Sequence, residues 1–474
     1  MLKKDIIIVL DIGATNVRAV AINSTGKIEA IHALPNGTQP DPFHPGGLIW
    51  DVDEIWQKLM TCLHQILPEI AFERISALTV TTFGVNGAPV DSKGNLLYPV
   101  ISWQCQRTEP IMRHIDRYIP LEKLYQINGV NAFSFNTINV LLWFRENKPD
   151  IIEKMAGWLF IPSIFVHRLT GRLVNDMTMA GTSMLTDFSN RQISKGILIA
   201  TGLPDKFFEI REAGTIAGNL IEKSARETGL PAGIPVVLTG HDTQFALIGS
   251  GVGENEPILS SGTWEILMAR CRYGELNNKN LQAGLTNEFD ALPGLINSGT
   301  QWLASGILEW VKRNFYCDLK ENVYETMIRD AENLGYSGRV RLSPDFVNHQ
   351  GAITGIGLQT SRAQVYYAAL EALTEQTAKG LKLLEKTGKF KAKALVLVGG
   401  GSKNNLWNRL RADRLGIPVK ISNQTETTVL GASLFGQVAI GNYSSIDEAV
   451  EKTCQNYQIV APSPAVTPVP YKKN

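Results

Sequence analysis

Residues 6–22 read IIIVLDIGATNVRAVAI, two apolar runs joined by a short polar turn that contains one glycine. Apolar runs of this length predict buried strands, so the segment predicts a strand, a tight turn and a second strand. Glycine has no side chain, so the backbone of such a turn can approach a phosphate group, and nearby hydroxyl and amide groups can donate hydrogen bonds to its oxygens. The segment therefore indicates a β-meander at the start of the chain and a candidate phosphate-binding turn.

Three further glycine turns follow apolar strands later in the chain. Residues 257–269 repeat the order of strand, Gly262-Thr263 turn and strand. The turn Gly399-Gly-Gly-Ser402 follows another apolar strand, and the turn Gly240-His-Asp242 follows one more. Two phosphate-type turns, a third for the rest of a nucleotide and a carboxylate between them predict phosphoryl transfer from ATP. The chain has neither the G-x-x-x-x-G-K-[ST] pattern of a P-loop nor the glycine spacing of the dinucleotide fingerprint.

Length and composition limit the class of protein. A chain of 474 residues exceeds the size at which one core stops growing, so we expect two domains, 1–253 and 254–474. The 46 basic and 45 acidic side chains leave a net charge of +1 without any basic block, which argues against nucleic-acid and membrane-surface binding. No apolar run approaches the roughly 20 residues that a membrane-spanning helix needs. Five dispersed cysteines without metal-ligand spacing favour reduced thiols in a cytoplasmic protein.

The hydrophobic pattern places each glycine turn after a strand. Apolar residues at helical spacing predict a helix over 51–67, with Asp51 as its N-cap, and a long helix over 361–386. Further strands are predicted at 6–10, 17–22, 27–33, 76–82, 235–239, 257–261, 264–269 and 394–398, and a helix at 404–415. The carboxyl ends of strands are where α/β proteins build their sites.

Asp242 is the candidate general base. A sugar hydroxyl attacks a γ-phosphoryl group more readily when a positioned carboxylate accepts its proton. The alternative is that Asp242 only caps the helix predicted to begin near Thr243, since aspartate is a favoured N-cap. His241 alone is more often a packed or solvent-facing histidine than a ligand.

Asp11 is the candidate Mg²⁺ ligand, because magnesium keeps most of its waters and takes few protein ligands. Thr15, Asn16 and Arg18 carry donors suited to phosphate oxygens. The alternative is a hairpin turn in which Asp11 only accepts from local amides. The Gly399–Ser402 turn and the helix N-terminus after it suit an adenosine or α-phosphate, and tight packing is the alternative there.

Two loops have the composition of a sugar site. Phe83-Gly-Val-Asn-Gly87 and Trp103-Gln-Cys-Gln-Arg107 combine amide and guanidinium groups for hydroxyls with aromatic rings for the apolar face of a sugar. Either loop can equally be structural, and Trp103 can be core. Asn297 and Gln301 are candidates from the second half, with helix capping by Asn297 as the alternative.

Seven longer runs resemble one family, the FGGY carbohydrate kinases of the ASKHA group, which also contains actin, hexokinase and the Hsp70 ATPase domain. The resemblance covers nearly the whole chain in order. The runs are Thr81–Val85, Leu96–Trp103, Ala132–Thr137, Met179–Ser183, Gly240–Leu247, Leu259–Leu267 and Gln301–Gly306.

The resemblance implies a role for each matching position. Asp242 is implied as the proton acceptor, and the residues from Asp11 to Arg18 as the first phosphate loop. Sugar contacts are implied or proposed at Gly84, Asn86, Arg107, His241, Thr243 and Asn297. ATP contacts are implied at Gly13, Ala14, Thr15, Asn16, Arg18, Gly262, Thr263, Gly400, Gly401 and Asn404. Related 6-deoxyketose kinases commonly have aspartate where this chain has Asn86, which exchanges a charge for a donor.

The fold implied by the resemblance is a pair of ribonuclease-H-like, or actin-like ATPase, α/β domains with mixed sheets that flank an interdomain cleft. The sugar is expected mainly on the N-terminal domain and the nucleotide mainly on the C-terminal one. The implied reaction converts L-fuculose and ATP, with Mg²⁺, into L-fuculose 1-phosphate and ADP. Another ketose such as L-rhamnulose or D-xylulose is the alternative substrate. An actin-like or Hsp70-like ATPase acting on protein partners, or an inactive sugar sensor, is the alternative class. The implied partners are the sugar and ATP, and a homo-oligomer is compatible with the sequence.

Overall fold

The structure is a computed structural model that describes residues 4–454 and 457–464. The chain forms two compact units, and each unit is assembled from separate stretches of sequence. Unit 1 comprises residues 4–251, 276–297 and 426–454, and unit 2 comprises 252–275, 298–425 and 457–464. The sequence halves 1–253 and 254–474 therefore do not coincide with the compact units at every point, because two stretches of the second half pack in unit 1.

The main sheet of unit 1 is mixed. Its central strand Ile6–Ile12 is buried at every position and pairs antiparallel with Asn16–Ile22 on one side and parallel with Ile75–Thr82 on the other. The strand order is Ile216–Asn219, Pro235–His241, Ile75–Thr82, Ile6–Ile12, Asn16–Ile22 and Ile28–Pro35. An uninterrupted apolar run is what a strand covered on both faces requires. The structure confirms the strands predicted at 6–10, 17–22, 27–33, 76–82 and 235–239.

Unit 2 repeats the same arrangement. Pro257–Ser261 pairs antiparallel with Trp264–Cys271 and parallel with Leu395–Val398, as the first strand of unit 1 does with its two neighbours. The sheet continues through Val419–Ser422 and Tyr457–Val460. Both units thus contain a hairpin followed by a parallel strand, and the predicted α/β class with mixed sheets is confirmed.

The predicted helices form, and the predicted N-cap Asp51 is confirmed. Asp51 accepts hydrogen bonds from Asp53 N and Glu54 N at the start of Val52–Ile66. Ser361 and Gln364 form a reciprocal capping box at the start of Arg362–Gly388. The other helices of unit 1 are Glu109–Arg113, Leu121–Asn128, Thr137–Asn147, Pro149–Lys154, Ile161–Thr170, Met177–Ala180, Lys195–Thr201, Glu222–Thr228, Asp242–Gly249, Asn278–Gln282, Thr427–Ala439 and Ile446–Thr453. Those of unit 2 are Ser305–Phe315, Val323–Leu334 and Asn405–Leu415.

Shorter strands complete both units. In unit 1 they are Gln39–Pro40, Leu48–Trp50, Gly87–Val90, Val100–Ile101, Gly157–Phe160, Val174–Asp176, Thr186–Asp187, Gln192–Ile193, Glu209–Arg211 and Thr286–Phe289. In unit 2 they are Arg341–Ser343 and Ala352–Thr354, and Ile296–Leu303 begins in unit 1 and continues into unit 2. Across residues 4–454 and 457–464, no helix is long and apolar enough to span a membrane.

The helix Thr427–Ala439, from near the end of the chain, completes the core of unit 1. Its apolar side chains join a buried cluster with residues of the first strands and of the helix Asp242–Gly249. The two helices cross with their backbones in contact at Gly249 and Gly431. A Cβ atom built on Gly431 would lie 1.9 Å from the Phe245 carbonyl oxygen. The crossing requires glycine, and it seats the helix that begins at Asp242.

Substituting alanine for Gly431 should therefore destabilise unit 1. The new methyl group meets backbone, which cannot rotate aside, so the helices must separate. We expect a loss of about 1–3 kcal/mol or more in the free energy of unfolding, measured by urea denaturation. Gly196→Ala is the matched control, because this helical glycine has only Ser194 Oγ nearby, 3.7 Å from a built Cβ. Equal unfolding midpoints for the two variants would contradict the close crossing.

Candidate active site

Three parallel strands of unit 1 bring the predicted site residues to one edge of its sheet. Ile6–Ile12, Ile75–Thr82 and Pro235–His241 run in the same direction, so their carboxyl ends lie side by side. Asp11 lies at the end of the first, the loop containing Gly84 follows the second, and Asp242 follows the third. This edge is where ligands bind in open α/β sheets.

Asp242 is the first residue of the helix Asp242–Gly249, and its N-cap is His241, which makes no side-chain capping bond. The alternative in which Asp242 is the N-cap is therefore wrong, because the N-cap is the residue before it. Its Oδ1 accepts from the Thr243 backbone N–H at 2.6 Å and from Thr243 Oγ1 at 3.3 Å. Burial raises the pKa of Asp242, and the nearby His241 opposes the rise. Because its side chain is still 31% exposed, the carboxylate can accept a proton from a bound molecule.

His241 lies between two carboxylates. Its Nε2 is 3.5 Å from Asp242 Oδ1, and its Nδ1 is 3.5 Å from Glu288 Oε2. Burial alone would lower the pKa of His241, but Glu288 and Asp242 raise it above its ordinary value. The ring also covers Gly84, where a built Cβ would lie 2.7 Å from Nε2. Gly84 must be glycine because of this histidine, an adjacency that the sequence did not reveal.

Asp11 and Arg18 face each other across the first hairpin. Arg18 Nε and Nη2 donate to Asp11 Oδ2 at 2.9 and 2.5 Å, and Arg18 Nη1 also donates to Glu426. Burial raises the pKa of Asp11 to about 6, against the effect of Arg18, and the negative charges of Asp242 and Glu426 add to the rise. The alternative in which Asp11 accepts from local amides is wrong, because its partner is a cross-strand arginine. Glu426, from the distant third stretch of unit 1, was not among the predicted residues.

The turn after Asp11 is open to solvent. The Gly13 backbone N–H donates to the Asn16 carbonyl at 2.8 Å, which closes the turn, and Asn36 Nδ2 donates to the Gly13 carbonyl at 2.8 Å. Thr15 and Asn16 are exposed, and Ala14 is half-buried. The turn therefore presents backbone N–H and side-chain donors while its own shape is fixed.

The loop after the second strand holds a strained residue. Val85 has a φ of 65°, which β-branched residues rarely adopt, and the Asn86 N–H donates to the Gly84 carbonyl at 2.8 Å. The strained peptide is fastened at both ends. The Val85 N–H donates to Thr182 Oγ1, and Thr137 Oγ1 donates to the Val85 carbonyl. Such outliers concentrate at functional sites, where the surrounding structure holds them.

Asn86 has a defined orientation. Its Oδ1 accepts from Trp50 Nε1 at 2.9 Å and from the Trp103 backbone N–H at 3.2 Å. Two N–H donors can only meet the amide oxygen, so Nδ2 points the other way, and it donates to none of the residues that the structure describes. The side chain thus offers one free donor, where an aspartate would offer an acceptor.

An aromatic cluster adjoins this loop. Phe133 and Phe135 stack with centroids 5.1 Å apart at 6°, and Trp103 meets Phe135 edge-on at 6.3 Å. All three rings are only partly buried. Trp103 connects the cluster to Asn86 through its backbone N–H. Polar and apolar groups therefore lie next to each other, as amphipathic small ligands require.

Arg107 and Asn297 have other partners than their predicted roles require. Arg107 is buried and donates to Asp41 Oδ2 at 2.6 Å, and its guanidinium lies over the Trp143 ring. Asn297 donates to Gln244 Oε1, and its own Oδ1 is buried without a hydrogen-bond partner among the described residues. Asn297 lies in the strand Ile296–Leu303, so the helix-cap alternative for it is wrong.

In unit 2 the Gly399 turn rests on the second hairpin. Gly399 has a φ of 87°, and a Cβ built on Gly401 would lie 2.0 Å from Ser261 Oγ. Gly400 has open space around it, and Gly262 and Thr263 are partly or fully exposed. Asn404 caps the helix Asn405–Leu415 through Trp407 N, and its Nδ2 donates to the Tyr366 hydroxyl. The tight-packing alternative thus holds for Gly399 and Gly401, whereas Gly400 and the hairpin turn stay accessible.

A fully buried ion pair supports the hairpin turn of unit 2. Arg411 donates to Glu265 Oε1, and neither side chain is exposed. Ser261 Oγ donates to the same oxygen at 2.7 Å, and Trp302 Nε1 donates to Glu265 Oε2 at 3.0 Å. Glu265 therefore connects the strand before the turn to the helix after the triple glycine.

Comparisons with known proteins agree with this arrangement. The family models for the N-terminal and C-terminal domains of the FGGY family of carbohydrate kinases match residues 6–249 and 258–440. An L-fuculokinase of Escherichia coli (strain K12) is 46% identical over 97% of this chain and 98% of its own length. An L-fuculokinase of Haemophilus influenzae is 41% identical over 94% of this chain and 97% of its own. The crystal structure of a xylulose kinase from Rhodospirillum rubrum shares the fold with a TM-score of 0.87 at 19% identity, over 97% of this chain and 94% of that one. The chain belongs to the FGGY family of carbohydrate kinases.

Proposed function

We propose that the protein phosphorylates L-fuculose with ATP and releases L-fuculose 1-phosphate and ADP. The observation that carries the proposal is the identity of 41–47% to several L-fuculokinases over nearly the whole chain. The geometry of unit 1 supports it, because a partly exposed carboxylate, a strained polar loop and an open glycine turn lie at one sheet edge. An ATPase acting on proteins has no need of such a loop.

In the proposed step, Asp242 accepts the proton of the sugar's C1 hydroxyl while that oxygen attacks the γ-phosphorus of ATP. The new bond joins the sugar oxygen to phosphorus, and the bond between phosphorus and the β,γ-bridging oxygen breaks. ADP leaves with that electron pair. Thr243 fixes the Asp242 carboxylate by two hydrogen bonds, so one orientation is held before the sugar arrives.

Asp11 fits a role beside Mg²⁺. It is buried, and its Oδ1 makes no hydrogen bond to any residue in the described part of the chain. Burial raises the pKa of Asp11 although Arg18 opposes the rise, so the ionised form is only partly compensated, and a divalent cation would add to that compensation. No group of three or more His, Cys, Asp or Glu suited to a metal occurs among the described residues. When bound, Mg²⁺ would neutralise charge on the phosphates, and Asp11 would hold it through water.

The phosphates are proposed to meet two glycine turns. In unit 1, the turn at Gly13–Asn16 offers exposed donors for the γ-phosphoryl group, and Arg18 adds a cation beside it. In unit 2, the accessible Gly262-Thr263 turn and Gly400 are proposed to contact the rest of the nucleotide. Asn404 is occupied as a helix cap, so its contribution is proposed to be the placement of that helix.

The sugar is proposed to bind at Gly84, Asn86, His241, Thr243 and Asn297. L-Fuculose is a 6-deoxyketose, so it carries a methyl group at one end and hydroxyl groups along the rest. The Asn86 donor suits a hydroxyl oxygen, and the half-exposed rings of Trp103, Phe133 and Phe135 suit the methyl group. Arg107 is proposed to support this region through Asp41 and not through a direct sugar contact.

A panel of ketoses tests the proposal. L-Fuculose, L-tagatose, L-rhamnulose and D-xylulose are each assayed for ATP-dependent phosphorylation, with ³¹P NMR to locate the phosphate on C1. L-Tagatose differs from L-fuculose only by a hydroxyl on C6, so it isolates the methyl contact. We expect L-fuculose to have the highest kcat/KM, and L-tagatose to fall below it by up to about 10²-fold, the limit for an apolar pocket that meets one added hydroxyl.

Two results would count against this function. If L-fuculose is not turned over while another ketose is, the sugar assignment fails and the kinase activity stands. If ATP is hydrolysed at a rate that no sugar changes, the ATPase alternative gains. Phe135→Ala provides a specificity control. Loss of the ring should bring the kcat/KM values for L-fuculose and L-tagatose closer together without abolishing turnover.

A further inference from the structure

Glu288 stands out among the acidic side chains of unit 1 that have no predicted role. It lies in the strand Thr286–Phe289, within the stretch 276–297 that packs in unit 1 although it comes from the second half of the sequence. Its Oε2 is 3.5 Å from His241 Nδ1 and accepts from Gln244 Nε2 at 2.8 Å. Gln244 in turn accepts from Asn297 through Oε1. The Glu288 carboxylate is therefore fixed by a chain of two amides and directed at the histidine ring.

Other contacts hold His241 in place as well. The His241 backbone N–H donates to Thr178 Oγ1 at 2.9 Å, which fixes the main chain, and Gly84 lies against one side of the ring. Nε2 lies 3.5 Å from Asp242 Oδ1. The ring thus lies between a carboxylate on Nδ1 and a carboxylate on Nε2, which is the arrangement that suits a doubly protonated imidazolium.

We propose that Glu288 is a positioning residue that keeps His241 as an imidazolium beside Asp242 and thereby sets how strongly Asp242 accepts the sugar proton. Three carboxylates act on the His241 ring: Glu288 and Asp242 each lie 3.5 Å from a ring nitrogen, and the charge of Asp176 also raises the pKa of His241. Among the described residues, no lysine or arginine forms an ion pair with Glu288 or Asp242. His241 is therefore the cation that offsets these charges.

The consequence for Asp242 follows from distance. The imidazolium is in direct contact with Asp242, whereas Glu288 acts from the far side of the ring, so the nearer positive charge dominates. An opposite charge at this range lowers a carboxyl pKa, which counteracts the effect of burial. Without Glu288 the ring loses its proton more easily. Burial then raises the pKa of Asp242 with no neighbouring cation to oppose it.

The test measures the titration of His241 directly. The protein is labelled with ¹³C at histidine Cε1, and the signal of His241, one of seven histidines, is assigned by its loss in His241→Gln. We expect His241 in the intact protein to titrate above the value of about 6.5 for free histidine, and Glu288→Gln to lower its midpoint by about one to two pH units. Glutamine keeps the acceptor for Gln244, so the substitution removes mainly the charge.

Glu29→Gln is the matched control. Glu29 also belongs to unit 1 and also forms an ion pair, with Arg74, and its side chain is 20% exposed against 19% for Glu288. A second readout is the pH dependence of kcat/KM. Its acid limb should move to higher pH in Glu288→Gln, and in Glu288→Asp it should lie closer to its position in the unaltered enzyme. A role limited to structure would lower turnover at every pH and leave the limb in place.

The proposal is overturned if His241 in the intact protein titrates below about 6.5, or if Glu288→Gln moves its midpoint no more than Glu29→Gln does. The first criterion does not depend on Glu288→Gln, so misfolding of that variant does not remove the test. The inference rests on the proposed role of Asp242, but the titration requires neither sugar nor ATP. A failed ketose panel and an unshifted histidine are therefore separate outcomes.

Discussion

Asp242→Asn should reduce turnover of the sugar. Removal of a general base lowers turnover by about 10²–10⁴-fold, and we expect a loss at least that large here. Asparagine keeps the size of the side chain and can still accept the Thr243 N–H, so the helix start is preserved. It cannot take up a proton at neutral pH, so the sugar oxygen must attack while still protonated. In the unaltered enzyme, turnover should also fall at acidic pH, because the raised pKa of Asp242 brings its protonation closer to neutrality.

The measurement separates chemistry from binding. Turnover is followed by coupled ADP release, and sugar affinity by calorimetry, which should change far less than turnover. Asp51→Asn is the control, since Asp51 also accepts backbone N–H groups at a helix start and asparagine is an equally good N-cap. Turnover of Asp242→Asn within a few-fold of the unaltered enzyme would remove Asp242 from the role of base.

The features that the sequence predicts are those with local causes. The run Ile6–Leu10 is apolar on both faces, so a buried strand follows from composition alone. Ser361 and Gln364 specify a helix start by hydrogen bonds within one turn. Because the strands that lead to Asp11 and Asp242 both run parallel to Ile75–Thr82, which lies between them, their shared sheet edge was also within reach of prediction.

The features that the sequence misses depend on residues far apart in the chain. Glu288 and Glu426 reach unit 1 from separate stretches, and nothing near either residue indicates a partner at His241 or Arg18. Arg107 was predicted to face the sugar because its loop is polar, but a buried carboxylate 66 positions earlier takes its guanidinium. Charge pairing over such separations is set by tertiary packing, which no local pattern encodes.

Arg411→Met should produce the largest loss of stability in unit 2. The substitution leaves the Glu265 carboxylate fully buried without its cation, although Ser261 and Trp302 still donate to it. Removing one partner of a buried ion pair costs about 3–5 kcal/mol, because the remaining charge is uncompensated. Since Glu265 also fixes Ser261 before the Gly262-Thr263 turn, the KM for ATP should rise as well.

Two further variants show whether burial of the charge is the cause. Arg414 lies in the same helix as Arg411, and Arg414→Met removes its ion pair with Glu375. Those two side chains are 42% and 37% exposed, so we expect the free energy of unfolding to fall by less than about 1 kcal/mol. Adding Glu265→Gln to Arg411→Met removes the uncompensated charge and keeps an acceptor for Ser261, so it should restore much of the lost stability. Urea unfolding measures all three variants. If Arg411→Met is no less stable than Arg414→Met, the buried pair does not support the Gly262-Thr263 turn, and the placement of Ser261 must come from the packing of Gly399 and Gly401 against it.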